Sequence, residues 1–251
     1  MFKLKSIKTQ LIIYLACLAI FLSVKDKDIA FLFLTIIAVV SALVIESIIL
    51  YFRTRTLQIT ESSIITGLII GYVLSSDELW LKFVFVSLLA IISKYLIRFQ
   101  NKHIFNPAAF GIFLALVFLG ASTQWRATYL WYVLIPFGVY FALKFKKIEV
   151  LLGYVIISLV LFVIQALLFR VPLGGIFGYF SYFYIFIMVI EPKTTPLKPL
   201  GKYFFGAGIA VLIFILTEAG VKFDAELFSL LAMNTAVPLL NKIPLKRGGP
   251  V

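Results

Sequence analysis

The sequence predicts an all-α polytopic membrane protein, and three observations lead to this fold class. The 251 residues are 63% hydrophobic and 14% charged, with a mean hydropathy of +1.10, whereas soluble domains average about 45–50% apolar and about 25% charged residues. The apolar residues gather in long runs, and the Lys and Arg residues alternate between the loops that separate these runs. Because a soluble core of this length cannot bury so much apolar surface, a water-soluble monomer is excluded.

About ten apolar runs are candidates for transmembrane helices, since about 20 apolar residues cross a hydrocarbon core. The first run follows a basic start, as in a signal peptide, but no small-residue cleavage site precedes Lys25, so we expect it to remain as a helix. The whole chain, 1–251, then forms a single membrane domain. The predicted spans are 9–24, 28–52, 59–76, 79–97, 105–121, 127–143, 148–169, 174–190, 201–219 and 225–240.

The basic residues predict the orientation of these spans. Sixteen Lys and Arg fall at the two termini and in alternate loops, and six fall in the opposite loops. The positive-inside rule places the richer side in the cytoplasm, so both termini are predicted to be cytoplasmic in a cell (inner) membrane. The formal net charge of +12 is therefore explained by topology in a lipid bilayer, and no nucleic-acid partner is expected.

The two halves of the chain, 1–125 and 126–251, carry five predicted spans each. Because five is odd, a repeat of the same unit must be inverted in the membrane. In each half the third span leads into a polar break, and the fifth span carries an Asn with a nearby Pro. Asn106 and Asn234 mark this element, 128 residues apart. We therefore predict two inverted five-helix repeats.

The content of metal-binding residues limits the cofactors. The chain has one cysteine, Cys17, and one histidine, His103. An iron–sulfur cluster requires about four thiolates, and a structural zinc site requires about four Cys or His ligands. No metal site is expected from this chain alone, so redox chemistry would come from an organic cofactor or from partner subunits. The sequence indicates no catalytic residues.

Asn106 and Pro107 open an apolar helix. Asn is a favoured N-cap and Pro is accepted at the first helical position, so an ordinary helix start explains the pair. Placed inside the protein, however, such a start presents free N–H groups to a phosphate, a carboxylate or an electronegative ring edge. His103 lies just before it.

A stiff polar loop, 191–196, follows an aromatic span and carries the hydroxyls of Thr194 and Thr195 between two prolines. It is either a plain cytoplasmic turn or a broken-helix element that lines a site, as in transporters. Gly67 and Gly174 lie in the third span of each half, where glycine allows backbones or flat ligands to come close.

Glu46 is the acid deepest in a predicted span. Charges at such depth are costly and face partners or cavities. Lys94 can either pair with it or extend toward the interface. We consider Glu46 and Glu191 as candidates for an ion pathway, beside the alternative that Glu46 forms a structural pair or is neutralised.

Three motifs, taken in order, resemble the NqrB/RnfD family. They are Ile65–Leu68, Lys102–Gly111 and Glu191–Pro196, which read ITGL, KHIFNPAAFG and EPKTTP. Members of this family are membrane subunits of the Na⁺-translocating NADH:quinone reductase and of the Rnf ferredoxin:NAD⁺ oxidoreductase. The predicted two-repeat arrangement also resembles this family, whose repeat is similar to that of urea transporters.

The resemblance implies an electron-carrying membrane subunit with bound flavin, either FMN or riboflavin, coupled to Na⁺ or H⁺ movement. It also implies other membrane redox subunits as partners. The residues that match the motifs, and that would bind the cofactor, are Thr66, Gly67, His103, Asn106, Pro107, Thr194 and Thr195.

In the family, one FMN is attached to the threonine of a Ser-Gly-Ala-Thr motif. Here Ala127 and Thr128 match the last two positions of the motif, but Arg126 replaces its glycine. We therefore expect a non-covalent flavin. Thr128, with Thr123 as a weaker choice, is the candidate for a covalent FMN.

A small-solute or vitamin transporter or channel on the same inverted-repeat scaffold is the alternative function, because fold does not fix function. The departure from the FMN motif, the scarcity of metal ligands and the short chain favour it, whereas the order of the loop motifs favours the redox subunit. A third hypothesis is that the chain is a structural subunit of an assembly.

Overall fold

The computed structural model of the chain describes residues 6–100, 102–170, 172, 175–191 and 193–243, and it is almost entirely helical there. A two-residue-per-strand hairpin, β1 (Arg98–Phe99) and β2 (Lys102–His103), lies between two of the helices. The helices are α1 (Ile7–Lys25), α2 (Ile29–Thr54), α3 (Glu61–Val73), α4 (Trp80–Leu96), α5 (Pro107–Leu119), α6 (Trp131–Lys144), α7 (Ile148–Phe169), α8 (Ile176–Tyr179), α9 (Pro199–Glu218) and α10 (Ala225–Leu240).

Four of these helices begin at a polar residue whose side chain caps the helix N-terminus. The side chain of Asp28 accepts a hydrogen bond from the third backbone N–H of α2 at 2.9 Å, and Thr60 does the same for α3 at 3.2 Å. Asn106 and Asp224 cap α5 and α10 at 3.0 Å and 2.9 Å. Each cap satisfies a backbone N–H that has no partner within its helix. The starts of these helices therefore follow from local sequence.

The chain is a multi-pass membrane protein. Four of its helices, α1, α2, α7 and α9, are long and apolar enough to cross a membrane, and large apolar side chains such as Phe33 and Ile36 on α2 point outward. By contrast, α3 and α5 have 13 residues each, which is about 20 Å at 1.5 Å per residue. That is less than the roughly 30 Å of a hydrocarbon core. The number of ten spans stays a prediction.

The predicted eighth span, 174–190, is not one continuous helix. Only one helical turn forms, α8, after which Phe180 is extended (φ −99°, ψ 129°) and a π-helical turn follows at Tyr184–Met188. Gly174 lies outside the described residues. Just after the break, the Phe183 ring stacks on the buried Tyr72 ring with centroids 4.7 Å apart. Such a tertiary contact is not visible in the apolar run that predicted a single helix.

The third span also ends earlier than predicted. Leu74 leaves the helix and pairs with Thr123 in an isolated antiparallel bridge, and the backbone N–H of Ser75 donates to the carbonyl of Ser122 at 3.0 Å. A loop from the middle of the chain thus closes the end of α3. Sequence could not reveal this pairing, since it joins segments nearly 50 residues apart.

The helices pack in two groups that follow the order of the chain. In the first, α2 contacts α3 and α4, and α4 contacts α5; in the second, α7 contacts α9, and α9 contacts α10. Contacts of α5 with α10 and of α1 with α6 join the two groups. The duplication of 1–125 and 126–251, and its inversion, remain predictions.

Loops that the sequence assigns to one side of the membrane do lie together. At the predicted outer end, Arg126 pairs with Asp28 and donates to Ser76 at 2.7 Å. At the other end, Lys147 donates to the carbonyl of Pro196 at 3.0 Å. Each of these contacts joins loops that are predicted to lie on the same side of the membrane.

Candidate functional site

A polar centre lies in the core where α5 meets α10. The backbone N–H of Asn106 donates to Oδ1 of Asn234 at 3.0 Å, and Nδ2 of Asn234 donates to the carbonyl of Thr194 at 3.0 Å. Asn106 and Asn234 are 1% and 0% exposed. The two asparagines that mark the predicted repeats therefore meet, and one of them ties the loop 191–196 to α5. We define the polar centre as His103, Asn106, Glu191, Thr194 and Asn234.

Asn106 has both a structural role and an unused donor. Its Oδ1 accepts the backbone N–H of Ala109 at 3.0 Å, and Pro107 occupies the first position of α5, as the sequence predicts. Its Nδ2, however, has no hydrogen-bond partner among the described residues. A buried donor left without a partner costs about 1–3 kcal/mol. This nitrogen is therefore a candidate contact for a ligand acceptor.

His103 and Glu191 face each other beside these asparagines. Nε2 of His103 is buried, has no hydrogen-bond partner in the described part of the chain, and lies 3.8 Å from Oε1 of Glu191. The other carboxylate oxygen accepts from Thr194 at 3.4 Å, and the hydroxyl of Thr195 donates to the backbone carbonyl of Glu191 at 3.1 Å. The two threonines thus brace the loop, and Pro192 lies outside the described residues. An ion-pathway role for Glu191 stays a prediction.

A small central cavity of about 60 Å³ adjoins the polar centre. Asn106, Pro107, Thr66 and Glu191 line it, and the hydroxyl of Thr66 donates to the carbonyl of Ser62 at 2.9 Å. This volume suits a water molecule or a small ion. It is too small for a flavin ring.

A wider cavity of about 360 Å³, which we call the inner groove, reaches the polar centre from the side of the β-hairpin. Its polar wall includes His103, Thr194 and Asn234, and its apolar wall includes Phe99 and Val237. An apolar cleft of about 300–1,000 Å³ with a few convergent polar groups is typical of a cofactor site. The inner groove therefore fits a flat aromatic ligand by size and lining.

Gly67 is explained by helix packing. A Cβ atom at this position would lie 2.4 Å from Cα of Val39, which belongs to the backbone of α2. Glycine thus allows α3 to approach α2 closely. The backbone of α2 occupies the space that a side chain at position 67 would need. The cofactor-binding role predicted for Gly67 stays untested.

Glu46 forms a buried ion pair with Lys94. Of the two alternatives predicted for Lys94, the structure therefore has the pairing with Glu46 and not the extension toward the interface. Glu46 is 1% exposed and also accepts hydrogen bonds from Thr60 and, at 2.7 Å, from Tyr95. These contacts compensate the burial of its charge. Its proposed place in an ion pathway stays a prediction.

Thr128 lies at the opposite end of the helices from the polar centre. Its hydroxyl is buried without a partner in the described part of the chain, and it lines a cavity of about 420 Å³ with Ser181 and Glu226. Thr123 is nearby and donates to Asp224 at 2.9 Å. The residues predicted for flavin binding therefore fall into two separate places.

Sequence reasoning missed two contributors to the polar centre. Asn234 was recognised only as a repeat marker, although its 128-residue offset from Asn106 was the signal that the two could meet. Val237, one turn further along α10, forms part of the inner groove. Within the described residues, no three His, Cys, Asp or Glu side chains come together as a metal-binding group.

A sequence model of the NQR2, RnfD, RnfE family matches residues 2–130 and 144–248 of the chain. No individual curated protein matches it. The family match covers nearly the whole length and includes all three motifs and the polar centre. This chain belongs to the NQR2, RnfD, RnfE family.

Proposed function

We propose that this chain is the membrane-embedded, electron-carrying subunit of an ion-translocating redox complex of the Nqr or Rnf type. Family membership supports a membrane subunit of such a complex. The finer proposal is that it binds a non-covalent flavin, FMN or riboflavin, and couples electron transfer to Na⁺ or H⁺ movement. It further includes ten spans in two inverted repeats, in a cytoplasmic membrane with both termini in the cytoplasm.

The observation that carries the flavin proposal is the buried Nε2 of His103 at the wall of the inner groove, which has no hydrogen-bond partner among the described residues. A flavin ring offers carbonyl oxygens and ring nitrogens along its edge, which would satisfy such a group. The unpartnered Nδ2 of Asn106 lies at the small cavity instead, where a water molecule or a small ion would satisfy it. The inner groove, which His103 lines, has the size and the apolar wall that such a ring needs.

A bound flavin supplies one-electron and two-electron transfer. Phe99, Val237 and His103, which line the inner groove, would hold it there. Asn234 fixes the position of Asn106 and of the loop 191–196. Glu191, 3.8 Å from His103, can hold a proton or a cation next to the groove.

Partner subunits complete this function. Family membership supports other membrane redox subunits as the donors and acceptors of its electrons. The chain alone is then expected to show little turnover. Outward-facing apolar side chains on its helices are available to lipid or to such subunits.

Flavin content tests the proposal. The chain is co-expressed with a flavin transferase, purified in detergent, and examined by absorption spectroscopy and intact mass before and after denaturation. We expect about one flavin per chain, released by denaturation, and an unmodified mass. A colourless chain of unmodified mass from riboflavin-replete cells would contradict the proposal and favour the small-solute or vitamin transporter.

The same experiment separates the two modes of attachment. A mass increase equal to FMN would contradict non-covalent binding and would point to Thr128 or Thr123. The variant Thr128→Val then identifies the residue. If flavin is non-covalent, Thr128→Val is expected to keep the same flavin content as the wild-type chain.

A further inference from the structure

A second large cavity, which we call the basic cavity, has a volume of about 470 Å³ and lies at the predicted cytoplasmic end. It is formed where α1, α2, α3 and α4 meet the β-hairpin and the loop 191–196. Its charged lining consists of five cationic side chains and two carboxylates, namely Lys8, Lys94, Arg98, Lys102, Lys193, Glu46 and Glu61.

The carboxylates of this cavity are already engaged. Glu46 is bound by Lys94, Thr60 and Tyr95, and Glu61 accepts hydrogen bonds from the hydroxyls of Ser6 and Thr9. Neither acid is within ion-pair distance of the remaining lysines of the described lining. The described lining of the cavity therefore carries more cationic than anionic side chains.

Three lysines carry this excess. The ammonium groups of Lys8, Lys102 and Lys193 form no hydrogen bond or ion pair with any described residue. Lys8 also lies in the first turn of α1, where the helix dipole disfavours a cation. Its position is therefore not explained by helix stability.

The positive charge of the cavity affects the pKa of Lys193. Partial desolvation, together with the like charges of Lys8 and Lys94, lowers the pKa of the Lys193 ammonium below its usual value, against the opposing effect of Glu191 and Glu46. A bound anion would reverse this destabilisation. The unpartnered Nε2 of His103 also lines the cavity, at its boundary with the inner groove.

We propose that the basic cavity is a binding site for a phosphate group, held by Lys8, Lys102 and Lys193. Several ammonium groups around one pocket recognise phosphate through charge rather than through fixed bidentate geometry. Basic pockets between membrane helices on the cytoplasmic side suit the headgroups of anionic lipids, and a soluble phosphate carries the same chemistry. The proposal rests on the charge of this lining and not on a bound flavin, although Lys102, Lys193 and His103 also line the inner groove.

The test uses the full-length chain in a non-ionic detergent and follows its thermal unfolding during titration with two probes. One probe is inorganic phosphate, compared with chloride at equal ionic strength. The other is short-chain phosphatidylglycerol, compared with the zwitterionic phosphatidylcholine of the same chain length. We expect at least one phosphate probe to stabilise the chain in a saturable manner.

Variants connect that response to the cavity. Lys8→Gln and Lys193→Gln should each weaken the apparent affinity for the stabilising probe about fivefold, as expected for the loss of one basic group near an anionic headgroup. The matched control is Lys144→Gln, an exposed lysine of the same end whose ammonium stands over the Tyr140 ring. It should leave the affinity unchanged.

The outcomes are distinct. Saturation by phosphatidylglycerol alone identifies a lipid headgroup as the source, and saturation by inorganic phosphate identifies a soluble anion; both support the site. No saturable response to either probe would overturn it, as would an equal loss of affinity in Lys144→Gln and Lys193→Gln. Should Lys193→Gln fail to fold, Lys8→Gln and Lys102→Gln give the same readout.

Discussion

Asn234 connects three segments through one side chain. It accepts from the backbone of Asn106 and donates to the backbone of Thr194, in a place where no water-exposed surface is available to either group. In a largely apolar core, hydrogen bonds of this kind specify which segments meet, because any other arrangement leaves the backbone groups unpaired.

Replacing Asn234 therefore tests the polar centre. Asn234→Leu keeps the size of the side chain but leaves one buried N–H and one buried carbonyl without partners, at about 1–3 kcal/mol each. We expect the free energy of unfolding to fall by about 2–6 kcal/mol, measured by denaturant titration in mixed micelles. Ser229→Ala is the control on the same helix, because the hydroxyl of Ser229 is buried without a partner in the described residues. Equal stabilities of the two variants would contradict this role.

The ion pair of Glu46 and Lys94 gives a second test at this scale. Lys94→Met leaves the carboxylate of Glu46, which is 1% exposed, without its cation. Breaking a buried pair on one side costs about 3–5 kcal/mol. The control is Lys82→Met, which removes the cation of a more exposed pair with Glu78 at 2.6 Å. Loss of that pair should cost about 0–1 kcal/mol. If the two variants unfold alike, Glu46 is not held as the structure indicates.

At the scale of elements, glycine sets the distances between helices. A Cβ at Gly206 of α9 would lie 2.1 Å from the carbonyl oxygen of Val150 in α7, and one at Gly67 would lie 2.4 Å from the backbone of α2. Both positions are contacts where backbone meets backbone, so neither can relax by turning a side chain. Each half of the chain thus contains a close helix pair that depends on glycine.

Gly206→Ala and Gly67→Ala should each destabilise the protein by about 1–3 kcal/mol through overpacking. Gly175→Ala is the matched control, because Gly175 has open space around its missing Cβ and a φ of −70°. The measurement is thermal unfolding of each variant in the same detergent. A stable Gly206→Ala protein would show that α7 and α9 are further apart than the structure places them.

Elements with strong local signals could be predicted from sequence. The predicted bounds 148–169 and 225–240 agree with α7 and α10, because each apolar run ends at polar residues such as Asp224 and Asn241. The start of α6 was predicted four residues too early. The reason is tertiary, since the backbone N–H of Arg126 donates to the carbonyl of Tyr72 at 2.7 Å and holds that segment out of a helix.

The candidate site could be predicted only in part. Asn106 at a helix start followed from the Asn-Pro pair, and Glu191 with Thr194 followed from a stiff polar loop. That His103 would lie 3.8 Å from Glu191, 88 residues later in the chain, requires the folded arrangement of hairpin and loop. Local patterns identified the participants, but not their distances.

At the scale of the whole molecule, the two predicted ends differ in their content of charged residues. By the predicted topology, seventeen of the 23 Lys and Arg belong to the cytoplasmic half, but only four of the eleven Asp and Glu. In the structure, the contacts of Arg126 with Asp28 and Ser76 join the predicted outer loops. The hydrogen bond from Lys147 to the carbonyl of Pro196 joins the predicted inner loops. The orientation that follows is testable in cells.

Single cysteines test the orientation. In a Cys17→Ser background, Lys222→Cys and Lys144→Cys place one exposed thiol at each end. We expect a membrane-impermeant maleimide to label Lys222→Cys in intact cells, and to label Lys144→Cys only after permeabilisation. The reverse pattern would contradict cytoplasmic termini.

The most direct test of the central claim, that a flavin occupies the inner groove, is the flavin content of a variant with a filled groove. Val237→Trp adds bulk to the apolar wall, while Thr128→Val changes the opposite end. With both variants monodisperse in detergent, we expect Thr128→Val to retain about one releasable flavin per chain, as in the wild type, and Val237→Trp to retain little. Full flavin content in Val237→Trp would contradict the account.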